Sequence, residues 1–106
     1  MKKIINGYDF DGVITAGIRP ESFHDVIITG RSYEEASETH SLLFRLGIFN
    51  AVYFNPVLFS DKTLESSGLW KAKMINTLKV DVFHEDDIRQ LTIIQNETEC
   101  NVIKIG

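Results

Sequence analysis

Five short runs rich in β-branched and aromatic residues recur along the chain: KIINGYDF, DVIITG, NAVYFN, VDVFHE and NVIKIG. Runs of this length, bounded by Gly, Asn and Asp, read as strands. Three of the segments between them carry helical spacing. RSYEEASETHSLLFRLG sets Ala36, His40, Leu43 and Leu46 three or four residues apart and stops at Gly47. LWKAKMINTLK does the same before the fourth strand and IRQLTIIQNE before the fifth. Strands alternating with helices pair in parallel through crossovers. The expected fold is therefore α/β, a three-layer α/β/α sandwich around a mainly parallel, five-stranded Rossmann-like sheet. The first connection differs: GVITAGIRPESFH has two glycines and a proline. It reads as a loop or small hairpin with one helical turn over Pro20 to Phe23. With 106 residues and no repeat, linker or low-complexity tract, residues 1–106 make a single domain.

Composition narrows the function classes. Hydrophobic residues make up 43% and charged residues 25%, the proportions of an ordinary globular protein, and no apolar run is long enough to span a bilayer. Met-Lys-Lys is followed by only Ile4 and Ile5 before Asn6, which is not the apolar core of a secretion signal, so a cytoplasmic location is expected. The single cysteine, Cys100, has no disulfide or CxxC partner and reads as a half-buried strand residue. A formal net charge of −4 gives no general pull toward nucleic acid or anionic membrane. An anionic substrate must then be attracted locally.

Ligands of doubly wound sheets gather outside the carboxyl ends of the strands. There the first run ends in Asp9 and Asp11, the second in Thr29, Gly30 and Arg31, and the fourth in Glu85, Asp86 and Asp87. Lys71 and Lys73 are expected at the start of the helix feeding the fourth strand. Carboxylates from two strand ends suit a hard cation such as Mg²⁺, and a hydroxyl, a lysine and backbone N–H groups suit phosphate oxygens. This is an inventory for phosphoryl transfer.

At these positions the chain resembles the haloacid dehalogenase-like superfamily, dominated by Mg²⁺-dependent phosphatases. DFDGVIT matches its first motif, IITGR its second, WKAKMI its third and FHEDD its fourth, in order, from about Lys2 to Asp87. The resemblance implies that Asp9 is the nucleophile and forms an aspartyl-phosphate. It implies that Asp11 is the acid and base that serves the leaving alcohol and then the water, with its backbone carbonyl on the metal. Gly12 would turn the chain sharply over the site. Thr29 would bind a phosphoryl oxygen, and Lys71 would neutralise Asp9 and the phosphate, with Lys73 facing solvent. Phe10, Gly30 and Arg31 would contact substrate. Asp9, Asp11, Asp86 and Asp87 would hold Mg²⁺; Asp86 is the first choice from the fourth motif, and Asp87 or Glu85 would hold metal-bound water or orient Lys71.

Plainer readings stand beside these. Thr29 alone is a common strand residue, Asp87 an acidic first turn of a helix, and Arg31 a solvated helix-start arginine. His24, His40 and His84 lack metal-ligand spacing, and His84 would line a sheet face. Trp70, Tyr53 and Phe54 could stack on a ring near the site, though packing is the commoner fate of aromatics.

Two departures from the family pattern matter. Only seventeen residues separate Asp11 from Thr29, and nothing is inserted between Thr29 and Lys71, so the chain reads as a capless member covered at most by the flap ITAGIRPES. The chain also stops at its fifth strand, leaving a sheet edge that a second copy could pair with as a homodimer. The expected substrate is a small phosphomonoester, a nucleotide or another phosphorylated metabolite; a nucleic-acid end is not favoured, and no membrane is involved. Two alternatives remain: a phospho-receiver-like module, against which Asn55 and Pro56 stand where a strand-three aspartate is needed, and a non-catalytic binding protein on the same fold.

Overall fold

The computed structural model describes residues 3–106; Met1 and Lys2, on which the reading against a secretion signal partly rests, lie outside the described residues. Strands β1 (Asn6–Tyr8), β2 (Val26–Ser32), β3 (Ala51–Asn55), β4 (Val82–Glu85) and β5 (Asn101–Lys104) form one sheet in the order β3-β2-β1-β4-β5. Every neighbouring pair is parallel. Helices α1 (Ala36–Leu46), α2 (Leu64–Leu78) and α3 (Ile88–Glu97) connect the later strands. Among the described residues, no helix is long and apolar enough to cross a membrane.

Alternation of side chains along the strands divides the apolar residues into two cores. On one face Tyr8 and Ile27 pack with Phe10, Val13, Ile14, Leu43 of α1 and Ile48. On the other, Val26, Ile28 and Phe83 pack with Ala72 and Ile75 of α2 and Ile94 of α3. The result is the expected three-layer α/β sandwich. Gly7 is small because Phe83 lies across it: a Cβ there would come within 2.8 Å of the Phe83 ring. The chain runs outward from β1 through β2 to β3, then returns to place β4 on the other side of β1. This reversal opens a crevice at the carboxyl ends of β1 and β4, where ligands of open parallel sheets bind.

Element boundaries differ from expectation in three places that bear on the site. Helix α2 begins at Leu64, not at Leu69, because Thr63 and Ser66 cap each other: the Thr63 side chain accepts from the Ser66 N–H and Ser66 from that of Thr63. Lys71 therefore lies in the body of α2, one turn and more from its start. Strand β2 runs on through Thr29 and Gly30 to Ser32, so Thr29 is an interior strand residue. In the first connection the helical turn sits at Phe10–Ile14, immediately after Asp9, and Pro20 to Phe23 form no helix. That stretch is instead gathered by Asp25, whose buried carboxylate accepts hydrogen bonds from the Glu21 and Ser22 N–H groups at 2.9 and 3.2 Å. No hairpin forms there among the described residues.

Candidate active site

Asp9 leaves β1 still paired to the sheet, its N–H donating to the His84 carbonyl at 3.0 Å. The chain then makes a single wide turn over Phe10–Ile14, broken at Asp11 (ψ 128°) and at Gly12, whose φ of +80° favours glycine. The turn buries Phe10, Val13 and Ile14 and separates the two aspartates by environment. Asp9 is buried at 5% exposure, whereas the Asp11 side chain is 59% exposed.

Parallel register sets Tyr8 beside His84, which brings Asp9 next to the end of β4. The two rings stack at 4.4 Å, so His84 lines a sheet face as expected. Glu85 is wholly buried. The Lys71 ammonium reaches between the strands, 2.8 Å from Glu85 Oε1 and 3.1 Å from Asp9 Oδ1. Burial holds the Asp9 carboxyl well above the usual range, against the pull of Lys71 and with the push of Glu85. Burial alone would lower Lys71, but attraction from Asp9 and Glu85 outweighs it and the ammonium is stabilised.

One oxygen each from Asp9, Glu85 and Asp86 lies within 4.8 Å of the others, a hard-donor set suited to a divalent cation. Their engagement differs. Glu85 Oε2 also accepts from the Asp86 and Asp87 N–H groups, so Glu85 orients Lys71 and the β4–α3 turn. The Asp86 carboxylate has no hydrogen bond or ion pair among the described residues. It presses against bare backbone at Gly12, where a Cβ would fall 2.0 Å from Oδ2. Asp9 and Asp86 are thus the two carboxylates best placed to share an ion. Asp87 instead caps α3, accepting from the Arg89 and Gln90 N–H groups at 2.8 and 3.1 Å.

The remaining expected residues divide. Gly30 and Arg31 line a cleft of about 450 Å³ together with Asp9, Asp11, Lys71, Asp86 and Asp87. Thr29 is fully buried outside that lining, its hydroxyl accepting from the Arg31 N–H at 3.0 Å. Phe10 is likewise buried, beneath the Arg31 guanidinium, which stands 4.8 Å above its ring. Lys73 is exposed, as expected. Phe54 and Tyr53 pack in the interior and Trp70 donates to the Thr29 carbonyl, so none of the three lines the cleft. His24 and His40 lie apart from it, beside Lys3 and Phe54.

Sequence reasoning missed Glu35, Lys62, Ser67 and Gln90, all of which line the cleft. Lys62 bridges Glu35 Oε2 at 2.8 Å and the Gly30 carbonyl at 3.2 Å. The Lys62 bond and the Ser32 N–H lower the Glu35 carboxyl, although burial alone would raise it. No motif marks these residues. The Thr63–Ser66 capping pair was the one legible signal, since it carries α2 forward to put Ser67 against Gly30, 3.2 Å from where a Cβ would be. Five carboxylates and three cations line the cleft, so acidic groups outnumber basic ones there. No protein family, curated protein or solved structure matches this chain.

Proposed function

We propose that the chain is a Mg²⁺-dependent phosphomonoester hydrolase that works through an aspartyl-phosphate on Asp9. The observation that carries this reading is the buried Asp9, paired with Lys71 and within reach of Asp86, at the reversal point of a parallel sheet. The order of the four motif-like stretches supports it. A Mg²⁺ ion held by Asp9 and Asp86 would neutralise the phosphate and the surplus carboxylates of the cleft.

In the first step an Asp9 oxygen attacks phosphorus, forming the acyl-phosphate bond as the ester P–O bond breaks. Lys71, held by Glu85, keeps Asp9 ionised before the attack and stabilises the negative charge on the phosphoryl oxygens during it. Asp11, on the exposed side of the turn, gives its proton to the departing alcohol and later removes one from water. That water breaks the acyl-phosphate, releasing phosphate and regenerating the Asp9 carboxylate. The natural substrate in this reading is a small phosphorylated metabolite, with a nucleotide the leading choice. The cleft's excess of carboxylates disfavours a polyanionic nucleic-acid end.

The test is phosphate release from 4-nitrophenyl phosphate, with Mg²⁺ and with a chelator, by the intact chain and by Asp9→Asn. Release that needs Mg²⁺ and disappears in Asp9→Asn is the expected result. Turnover retained by Asp9→Asn would remove Asp9 as nucleophile. Mg²⁺ and phosphate binding without turnover of any monoester would instead favour a binding protein.

A further inference from the structure

We propose that Ser67 of α2 is the residue whose hydroxyl binds the phosphoryl group in the cleft, the role that the resemblance assigns to Thr29; this rests on the phosphatase reading above. Side chains alternate along β2, so Ile27 and Thr29 share one face of the sheet and Ile28 and Gly30 share the other. Ile27 packs with Leu43 of α1, whereas Ile28 packs with Ala72 and Ile75 of α2. Asp9 and Glu85 both meet Lys71 of α2, so the attacking carboxylate lies on the α2 side. Thr29 is on the other side. It is wholly buried, and its hydroxyl accepts from the Arg31 N–H.

Ser67 has the placement that Thr29 lacks. It stands four residues before Lys71 in α2, and residues at that spacing are neighbours on a helix surface. Gly30 makes the room: a Cβ there would lie 3.2 Å from Ser67 Oγ and 3.8 Å from Lys71 Cε, so hydroxyl and lysine converge over the same bare backbone. Ser67 lines the cleft and is only 6% exposed, yet its hydroxyl makes no hydrogen bond among the described residues. Burying a hydroxyl without a partner costs stability. Helix hydroxyls avoid that cost by donating to the carbonyl four residues back, as Thr39, Thr77 and Thr92 do. Ser67 does not, because the Thr63 carbonyl already accepts from the Ser67 N–H and from the Ser66 hydroxyl, both at 3.0 Å.

The cations of the cleft are already engaged. Arg31 is forked onto Asp11, Lys62 bridges to Glu35, and Lys71 sits between Asp9 and Glu85. A neutral hydroxyl needs no counter-ion, and its bond to an anionic oxygen is about twice as strong as one to a neutral acceptor. Ser67 O–H therefore donates to one phosphoryl oxygen, in the ester and in the aspartyl-phosphate alike, and exchanges no proton in either step.

The experiment compares the intact chain, Ser67→Ala and Thr29→Val. Each is measured by calorimetric titration with inorganic phosphate in Mg²⁺, by turnover of 4-nitrophenyl phosphate, and by thermal melting without phosphate. Under the proposal Ser67→Ala melts no lower than the intact chain, because its hydroxyl bonds to nothing in the fold. Its phosphate dissociation constant rises about tenfold or more, and kcat/KM falls at least as far. Thr29→Val melts lower, since the Arg31 N–H loses its acceptor, and loses less phosphate affinity than Ser67→Ala. A smaller loss of affinity in Ser67→Ala, or one that accompanies a fall in its melting temperature, overturns the proposal. A greater loss in Thr29→Val returns the role to Thr29 and overturns it as well, as does an intact chain that binds no phosphate. Failure of the phosphatase reading shows differently: the intact chain releases no phosphate from the aryl ester, while phosphate binding and its dependence on Ser67 persist.

Discussion

Replacing Lys71 with methionine keeps the side chain's length and removes its charge from between two buried carboxylates. The ammonium stands 3.1 Å from Asp9 and 2.8 Å from Glu85, and none of the three side chains is more than 7% exposed. Removing one member of such a group leaves uncompensated buried charge, at a cost of about 3–5 kcal/mol. A chain of 106 residues has a total stability of about 5–15 kcal/mol, so the variant loses a large share. At about 4–8 °C per kcal/mol for a domain of this size, its melting temperature should fall by about 12–40 °C.

The loss should depend on pH. Burial already raises the Asp9 carboxyl above its ordinary value, with Lys71 opposing the rise. A carboxyl raised in the folded state makes that state bind more protons than the unfolded one, so stability falls as pH rises through the window between the two values. Taking Lys71 away raises Asp9 further and widens that window, and the variant should be hurt less at pH 5 than at pH 8. Urea unfolding of both proteins at the two pH values, in chelator, measures this directly. A cost below about 1 kcal/mol, or one equal at both pH values, would falsify the buried-charge argument.

Gly12→Ala should do two things: strain a left-handed backbone by about 1–2 kcal/mol and drive the Asp86 carboxylate from its place. Titration calorimetry should show Mg²⁺ affinity falling about tenfold or more, and unaltered affinity would separate Asp86 from the ion. Because Asp9 is raised by burial, Mg²⁺ binding should expel a proton and tighten as pH rises toward neutrality. Binding enthalpies measured in buffers of different ionisation enthalpy report that proton, and identical values would count against it. Asp25→Ala leaves the Asn6, Glu21 and Ser22 N–H groups and the Tyr8 hydroxyl without their shared acceptor. It should cost about 2–4 kcal/mol in a thermal or urea melt. Burial and then Asp25 push the Tyr8 hydroxyl up to about 12, so the same variant should bring its ultraviolet titration back toward the ordinary value, and an unmoved titration would remove Asp25 as a cause.

How legible each part was follows from the range of the interaction behind it. Helix α3 occupies Ile88–Glu97, the same span as the IRQLTIIQNE segment, because its apolar spacing and the Asp87 cap are local. The start of α2 was misplaced although its cap is also local: Thr63 and Ser66 precede the apolar spacing that drew the boundary, and Gly68 lies between. That glycine is tolerated because Ile93 of α3 packs on it, with Cδ1 only 3.0 Å from where a Cβ would be, a contact no local pattern records. The wide turn at Phe10–Ile14 escaped for a similar reason, since the side chains that stabilise it are buried against β2 and α1.

The sequence by itself determined the α/β class, the number of strands and the gathering of Asp9, Lys71 and the acidic triplet at one edge of the sheet. Alternation of apolar runs and the position of polar residues at their ends are properties of the linear order, and parallel pairing carries every strand end to the same side. Only the tertiary structure decided which carboxylate does what. Glu85, Asp86 and Asp87 are adjacent and chemically alike, yet Lys71 takes the first, bare backbone at Gly12 faces the second, and the third turns to cap α3. It likewise gave Arg31 to Asp11 and Lys62 to Glu35. Those assignments depend on through-space distances of a few ångströms between residues far apart in the chain, which β-strand register and helix packing set and residue spacing does not.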